Sequence, residues 1–200
     1  MEVRVVGGEA GGRKIKAPPG EQTRPTSDAV REAVFNAIAS RMDLDEARVL
    51  DLFAGSGALG IEALSRGARE VTFIDRSRAA VSTIEANLEM IGLTGGKVIA
   101  TSVEGWLARL IPGRKWDLVI ADPPYVYEDW SELLDGLAGH IAADGIVVLE
   151  SGADLELPNG WRSVRSKRYG TTVVTLVVPC NHPCAERPKQ HPPDAWQEQP

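Results

Sequence analysis

Cysteine is scarce in this chain of 200 residues. The only two, Cys180 and Cys184, lie close together near the C-terminus, where a bridge would staple a tail and nothing else. That excludes a disulfide scaffold. His182 and His191 add no standard zinc spacing, so both thiols are read as incidental and no metal is expected. Long apolar runs are also missing. No stretch approaches the roughly 20 residues of a membrane span, and Met1-Glu2-Val3-Arg4-Val5-Val6-Gly7-Gly8 lacks the apolar core of a signal peptide. The reading predicts a soluble cytoplasmic protein without a membrane partner. An excess of positive charge is absent too: 22 basic groups face 28 acidic ones, a net −6. Taken whole, that balance speaks against a polyanionic partner.

What is present is an ordinary globular composition, 43% hydrophobic and 25% charged, in a length that supports one domain and one substantial core. The charge is unevenly spread. Residues 1–31 carry Arg4, Arg13, Lys14, Lys16, Arg24 and Arg31 against four acids, and residues 151–178 carry Arg162, Arg165, Lys167 and Arg168 against two. The acid is concentrated in 32–150. Local sign decides where a polyanion lands, so basic end regions on an acidic body stay compatible with RNA.

Periodicity divides the chain into a hairpin, a helical lead-in and a strict alternation. Strands at 3–6 and 13–17, joined by Gly7, Gly8, Gly11 and Gly12, form an N-terminal β-hairpin within residues 1–20. Thr26 or Ser27 caps a helix with apolar residues at Val30, Val34, Ala37 and Ile38, inside a lead-in over 21–47. From residue 48 strands at 49–53, 70–74, 97–100, 116–121 and 146–150 alternate with helices at 58–66, 77–91, 103–110 and 130–141. A last pair, 161–167 and 172–178, forms an antiparallel hairpin. Parallel strands need crossover helices, and apolar strands mean burial on both faces. The fold class is α/β, a Rossmann-like, doubly wound, mostly parallel sheet, in a single domain over 1–178. Residues 179–200 hold six prolines and no apolar periodicity, and are read as a disordered tail.

Two motifs carry chemistry. Gly55-Ser56-Gly57-Ala58-Leu59-Gly60 follows a strand and opens a helix, with Asp75 at the end of the next strand. Glycines allow close backbone approach, the helix N-terminus is electropositive, and a carboxylate there accepts ribose hydroxyls. Two ligand classes fit: a dinucleotide, or S-adenosylmethionine, whose ammonium could be met by Asp51. The second motif, Asp122-Pro123-Pro124-Tyr125, follows the strand 116–121. An amine on an aromatic base is a poor nucleophile because its lone pair is delocalised. Two acceptors on its N–H groups, Asp122 Oδ and the Pro123 carbonyl, orient that lone pair and stabilise developing positive charge. Tyr125 offers a stacking face for a flipped base. Hydride transfer has no use for this geometry. Methylation at carbon 5 of cytosine needs a cysteine nucleophile, and the only cysteines lie in the tail.

These motifs resemble those of class I S-adenosylmethionine-dependent methyltransferases acting on an exocyclic amine. The chain is more closely similar to the bacterial small-subunit rRNA guanine-N2 methyltransferase (RsmD-type) family. The resemblance rests on Arg4, Gly7-Gly8 and Gly11-Gly12-Arg13, on Arg24-Pro25-Thr26-Ser27-Asp28-Ala29-Val30-Arg31-Glu32 with Phe35-Asn36, and on Asp51 to Gly60. Glu62-Ala63-Leu64-Ser65-Arg66-Gly67-Ala68 and Asp122-Pro123-Pro124-Tyr125 complete it. It implies methylation of the N2 of one guanine in 16S rRNA, of the position 966 type, with the small ribosomal subunit as partner. No residue pattern suggests an obligate dimer, so a monomer without an obligate protein partner is expected. By the same resemblance Gly55, Gly57 and Gly60 line the cofactor, Asp75 holds its ribose, and Ser102 or Val103 meets the adenine. Asp122, Pro123 and Tyr125 face the guanine. Arg4, Arg13, Lys14 and Arg24 are the RNA-binding candidates, Arg24 being equally placed for the cofactor carboxylate. The sequence departs from the pattern at Ser102-Val103-Glu104, which puts no clear acid or amide at the usual adenine-contact position. Other readings are a DNA amino-methyltransferase acting on adenine N6 or cytosine N4, a non-catalytic RNA-binding factor of ribosome assembly, and a nicotinamide-dependent oxidoreductase.

Overall fold

A computed structural model describes residues 2–19 and 27–180. Two short strands, β1 (Glu2–Arg4) and β2 (Lys14–Lys16), pair antiparallel as the N-terminal hairpin. Helix α1 (Asp28–Ala39) follows, capped by Ser27, whose Oγ accepts from the Val30 N–H at 3.3 Å. The alternation then runs β3 (Arg48–Leu52), α2 (Ala58–Ser65), β4 (Glu70–Asp75), α3 (Arg78–Ile91), β5 (Gly96–Ala100), α4 (Val103–Leu107), β6 (Trp116–Ala121) and α5 (Trp130–Leu137). It ends in β7 (Ile141–Ser151), β8 (Trp161–Tyr169) and β9 (Thr172–Pro179).

Seven strands form one sheet in the order β5-β4-β3-β6-β7-β9-β8, parallel except for β9 and β8. Side chains alternate across it. Val49, Phe73, Leu118, Ile120 and Val148 meet the N-terminal hairpin and helices α1 to α3 on one face. Leu50, Leu52, Ile74, Val119 and Leu149 meet α4 and α5 on the other. Helices on both faces explain why these strands read as unbroken apolar runs. Among the described residues no helix is long and apolar enough to cross a membrane.

Several boundaries differ from the sequence reading; the helix expected over 130–141, for one, ends as α5 at Leu137. Strand β7 begins at Ile141, because Ile141 pairs with Trp116 ahead of a register shift that the local pattern does not encode. Helix α4 stops at Leu107, followed by tight turns from Arg109 N–H to the Trp106 carbonyl and from Leu110 N–H to the Leu107 carbonyl; Pro112 then holds Ile111 out of the helical region. Pro179 and Cys180, assigned by composition to the tail, finish the sheet. Pro179 pairs with Trp161, and the Cys180 N–H donates to the Gly160 carbonyl at 2.7 Å.

Candidate active site

Leu52 in β3 pairs with Ile74 of β4 on one side and with Ala121 of β6 on the other. The residues that follow are Phe53, Asp75 and Asp122, so these three lie side by side at the carboxyl edge, Asp75 still paired with Ala100 of β5. The chain order reverses between β3 and β6, which makes this the switch point where ligands of open α/β sheets bind.

The turn from β3 into α2 is built from left-handed backbone. Phe53 has φ 58°, Gly55 53° and Gly57 77°, Gly57 being the N-cap of α2. The Asp75 carboxylate ties this turn to the neighbouring strand: Oδ2 accepts from the Gly55 N–H at 2.9 Å and Oδ1 from the Ser77 N–H at 2.7 Å. Ser77, and not Asp75, caps α3. Gly60 is needed for a different reason. A Cβ there would lie 2.3 Å from the Phe73 ring, so its bare backbone lets α2 pack on β4, and its N–H donates to Asp51 Oδ2 at 2.9 Å.

Asp51 is 1% exposed. Burial holds its carboxyl well above the usual carboxylate range. The Gly60 N–H opposes that shift, while the negative charges of Asp122 and Asp75 reinforce it. The charges of Asp75 and Asp122 both act on the buried Asp51, and an edge of this sign suits a cationic ligand and disfavours a pyrophosphate. Of the two ligand classes open to the glycine loop, the donor set therefore fits S-adenosylmethionine, with its sulfonium and ammonium charges.

On β6, Asp122 is half-buried and Pro123 buried, while Tyr125 stands 63% exposed. The Tyr125 hydroxyl lies 3.4 Å from Thr172 Oγ1, and its ring passes Gly152, where a Cβ would come within 3.2 Å. On the far side of Asp75, Ser102 caps α4 by accepting from the Gly105 N–H at 3.1 Å, and Val103 is buried. Thus Ser102, Asp75, Gly55, Gly57 and Asp122 follow one another along the edge of β5, β4, β3 and β6.

The basic candidates divide. Arg4 and Lys14 are direct cross-strand partners on the outer face of the hairpin, both exposed. Arg13 donates through Nη1 to the Ile91 carbonyl at the end of α3. Arg24 lies outside the described residues.

Several contributors escaped the sequence reading. Asn87, fully buried, accepts from the Lys16 N–H at 2.9 Å and donates to the Lys16 carbonyl at 2.9 Å and to the Ser56 carbonyl at 3.0 Å, joining the hairpin to the glycine loop. A signal existed: Asn87 is the polar member of the stripe Ala80, Ile84, Asn87, Ile91. Phe53 packs edge-on against Tyr127 with ring centroids 5.1 Å apart, and Tyr127 packs on Trp130 at 5.1 Å. Burial, with Glu104, Asp129 and Glu132 around it, lifts the Tyr127 hydroxyl to about 12. No periodicity announces these rings, because they meet across two loops.

Comparison with known proteins places this geometry. The model of the family described as conserved hypothetical protein 95 matches residues 3–178. The ribosomal RNA small subunit methyltransferase D of Escherichia coli is 34% identical over 181 residues, covering 88% of this chain and 89% of that relative. The solved structure of a hypothetical protein of Thermus thermophilus superposes with a TM-score of 0.75 at 34% identity, over 87% of this chain and 98% of that one. A structure described as a putative methyltransferase complexed with SAH, 14% identical, shares the fold with a TM-score of 0.62 over 75% of this chain and 48% of its own. With nearly all the described residues matched, the chain belongs to the conserved hypothetical protein 95 family, that of ribosomal RNA small subunit methyltransferase D.

Proposed function

We propose that this protein methylates the exocyclic N2 of a guanine in the 16S rRNA of the small ribosomal subunit, the position 966 type. It does so as a monomer in the cytoplasm, through the single domain over 1–178. The cofactor is S-adenosylmethionine. When bound, it supplies a methyl group made electrophilic by a sulfonium. The observation that carries the reading is the adjacency of the Asp122-Pro123-Pro124-Tyr125 turn to the glycine loop at the switch point.

The chain's own residues divide the work by position. Asp51 helps hold a ligand ammonium from beneath the glycine loop, by charge once ionised or through water. Asp75, each of whose oxygens accepts one backbone N–H, keeps lone pairs for ribose hydroxyls. Gly55 and Gly57 leave the loop open to close approach, and Ser102 with Val103 borders the adenine side. Asp122 and the Pro123 carbonyl accept from the two N–H bonds of the guanine amine, which turns its lone pair toward the methyl and stabilises the cation that develops. The departing proton goes to Asp122 or to water. Tyr125, exposed and anchored at its hydroxyl end, stacks on the extruded base. Arg4, Lys14 and Arg24 are assigned to RNA, and Arg13 joins them only if it leaves the Ile91 carbonyl.

The test is tritiated methyl transfer to 30S subunits, naked 16S rRNA and duplex DNA, followed by nucleoside analysis. N2-methylguanosine from an RNA substrate supports the reading; N6-methyladenine or N4-methylcytosine from DNA replaces it with the amino-methyltransferase alternative. Asp122→Ala is expected to lose methyl transfer by at least about 100-fold with SAH affinity retained. Wild-type turnover by that variant removes Asp122 from the mechanism.

A further inference from the structure

The carboxyl edge of the sheet is acidic, yet a basic strand runs up to it from the other side. Strand β8 is the last in the sheet, and its nine residues hold four basic groups and no acid. Register orders them. Arg162 pairs with Val178 at the end remote from the site, whereas Lys167, Arg168 and Tyr169 pair with Val174, Val173 and Thr172 at the carboxyl edge. Arg165, Lys167 and Tyr169 line a shallow crevice, no larger than a water molecule, with Ala33, Val34 and Ala37 of α1. Lys167 Nζ stands 5.1 Å from the centre of the Tyr169 ring. Arg168 reaches Gly152, the residue against which Tyr125 packs, with Nη1 3.5 Å from its carbonyl. The Arg168 pairing with Asp154, at 3.4 Å between exposed groups, is weak enough to be exchanged for a phosphate. The hairpin bearing Arg4 and Lys14 lies on the opposite side of α1, which touches it through Arg31 and the Arg4 carbonyl.

We infer that Arg165, Lys167 and Tyr169 on the α1 face of β8, with Arg168 on its opposite face, wrap the carboxyl end of this edge strand as a second RNA-binding surface. It holds the sugar-phosphate backbone on the side of the target base away from the N-terminal hairpin. The inference rests on the RNA reading above. Phosphates cannot settle on the acidic edge itself, so the strand is carried past it between two basic flanks, and only the uncharged base enters. Tyr169 provides a face for a neighbouring unpaired base beside the Lys167 ammonium. Charged residues on an edge strand also discourage edge-to-edge pairing, but that duty is indifferent to position along the strand, and RNA contact is not.

The experiment compares Arg165→Gln/Lys167→Gln/Arg168→Gln with Arg162→Gln, using 16S rRNA and 30S subunits as substrates. The triple variant is expected to raise the RNA KM about 10-fold and to flatten the slope of log affinity against log salt by about 2, with SAH affinity and melting temperature unchanged. Arg162→Gln is expected to behave as wild type. An unchanged KM and salt slope in the triple variant overturns the surface, as does an equal loss in Arg162→Gln. A wild-type enzyme that modifies DNA and not RNA overturns the RNA reading and this assignment together, whereas an RNA-active wild type with an indifferent triple variant overturns the surface alone.

Discussion

At the scale of single residues, the site holds two features that work against stability. Asp51 is a carboxyl held above its ordinary range by burial and by its neighbours Asp122 and Asp75. In the unfolded chain it ionises near pH 4. The folded state then binds more protons than the unfolded one between that value and the raised folded pKa, so Asp51 costs stability as pH rises through the window, and the loss is complete above it. Asp51→Asn keeps an acceptor for the Gly60 N–H and removes the charge. The variant is expected to melt higher than wild type at pH 8, with the difference closing near pH 4, while its affinity for SAH falls about 10-fold through loss of a charge-assisted contact to the ammonium. Calorimetry across pH and titration with SAH read both effects; a lower melting temperature at pH 8 contradicts the first. Phe53 is the second feature. At φ 58° an L side chain is strained, and the ring is retained by its contact with Tyr127. Phe53→Gly is therefore expected to be more stable than Phe53→Ala by about 1 kcal/mol in urea denaturation. The reverse order, usual in regular structure, would show that the turn carries no strain.

At the scale of elements, the question is how a short two-stranded hairpin stays fixed. Isolated hairpins are marginal in water, so this one is stapled by polar groups. The fully buried Glu62 carboxylate accepts from the Val6 and Gly7 N–H groups at 2.7 and 2.8 Å and pairs with Arg66 Nε at 2.7 Å. Ser65 Oγ accepts from the Ala10 N–H at 2.9 Å. Gly8, at φ 75°, lies so close to α2 that a Cβ would fall 1.8 Å from the Ser65 carbonyl oxygen. The glycine hairpin and the Glu62 to Gly67 helix segment, far apart in the chain, are thus two halves of one joint. Asn87 adds the link from β2 to the glycine loop. Asn87→Leu, close in volume, leaves the Lys16 N–H and the carbonyls of Lys16 and Ser56 without it, and is expected to cost about 2–4 kcal/mol. Hydrogen exchange distinguishes the joint from the core: the Lys16 amide should lose its protection while Leu50 and Val119 keep theirs. Equal loss at all three would assign Asn87 to global packing instead.

At the scale of the whole molecule, parallel pairing brings distant segments to one edge. Asp51, Asp75 and Asp122 owe their proximity to the β4-β3-β6 neighbourhood, and the mostly parallel sheet with its antiparallel end strands is the fold read from the alternation. The chain closes later than composition implied. The tail expected to be disordered, residues 181–200, lies outside the described residues. Ending the chain after Cys180 is expected to leave the melting temperature and methyl transfer unchanged. Ending it after Leu176 removes the pairing of Val177, Val178 and Pro179 with β7 and β8 and is expected to lower the melting temperature sharply. A large drop on the shorter deletion would show that residues 181–200 contribute to the fold.

Local pattern determined much of this protein. The helices and strands, a cap at Thr26 or Ser27, and the glycine turn with an acid one strand later follow from hydrophobic period, capping chemistry and φ preference, which act over a few residues. The Asp-Pro-Pro-Tyr turn was equally legible, because two prolines restrict their own backbone wherever they stand. Only tertiary structure decided that Asp51 is buried beside two other carboxylates, that Arg13 is engaged with a helix end, that Gly60 packs on Phe73, and that the Lys167 to Tyr169 end of β8 lies at the carboxyl edge of the sheet. Burial and Coulomb energy depend on distance through space, and strand order and register, which set those distances, are decided by contacts between residues far apart in the chain.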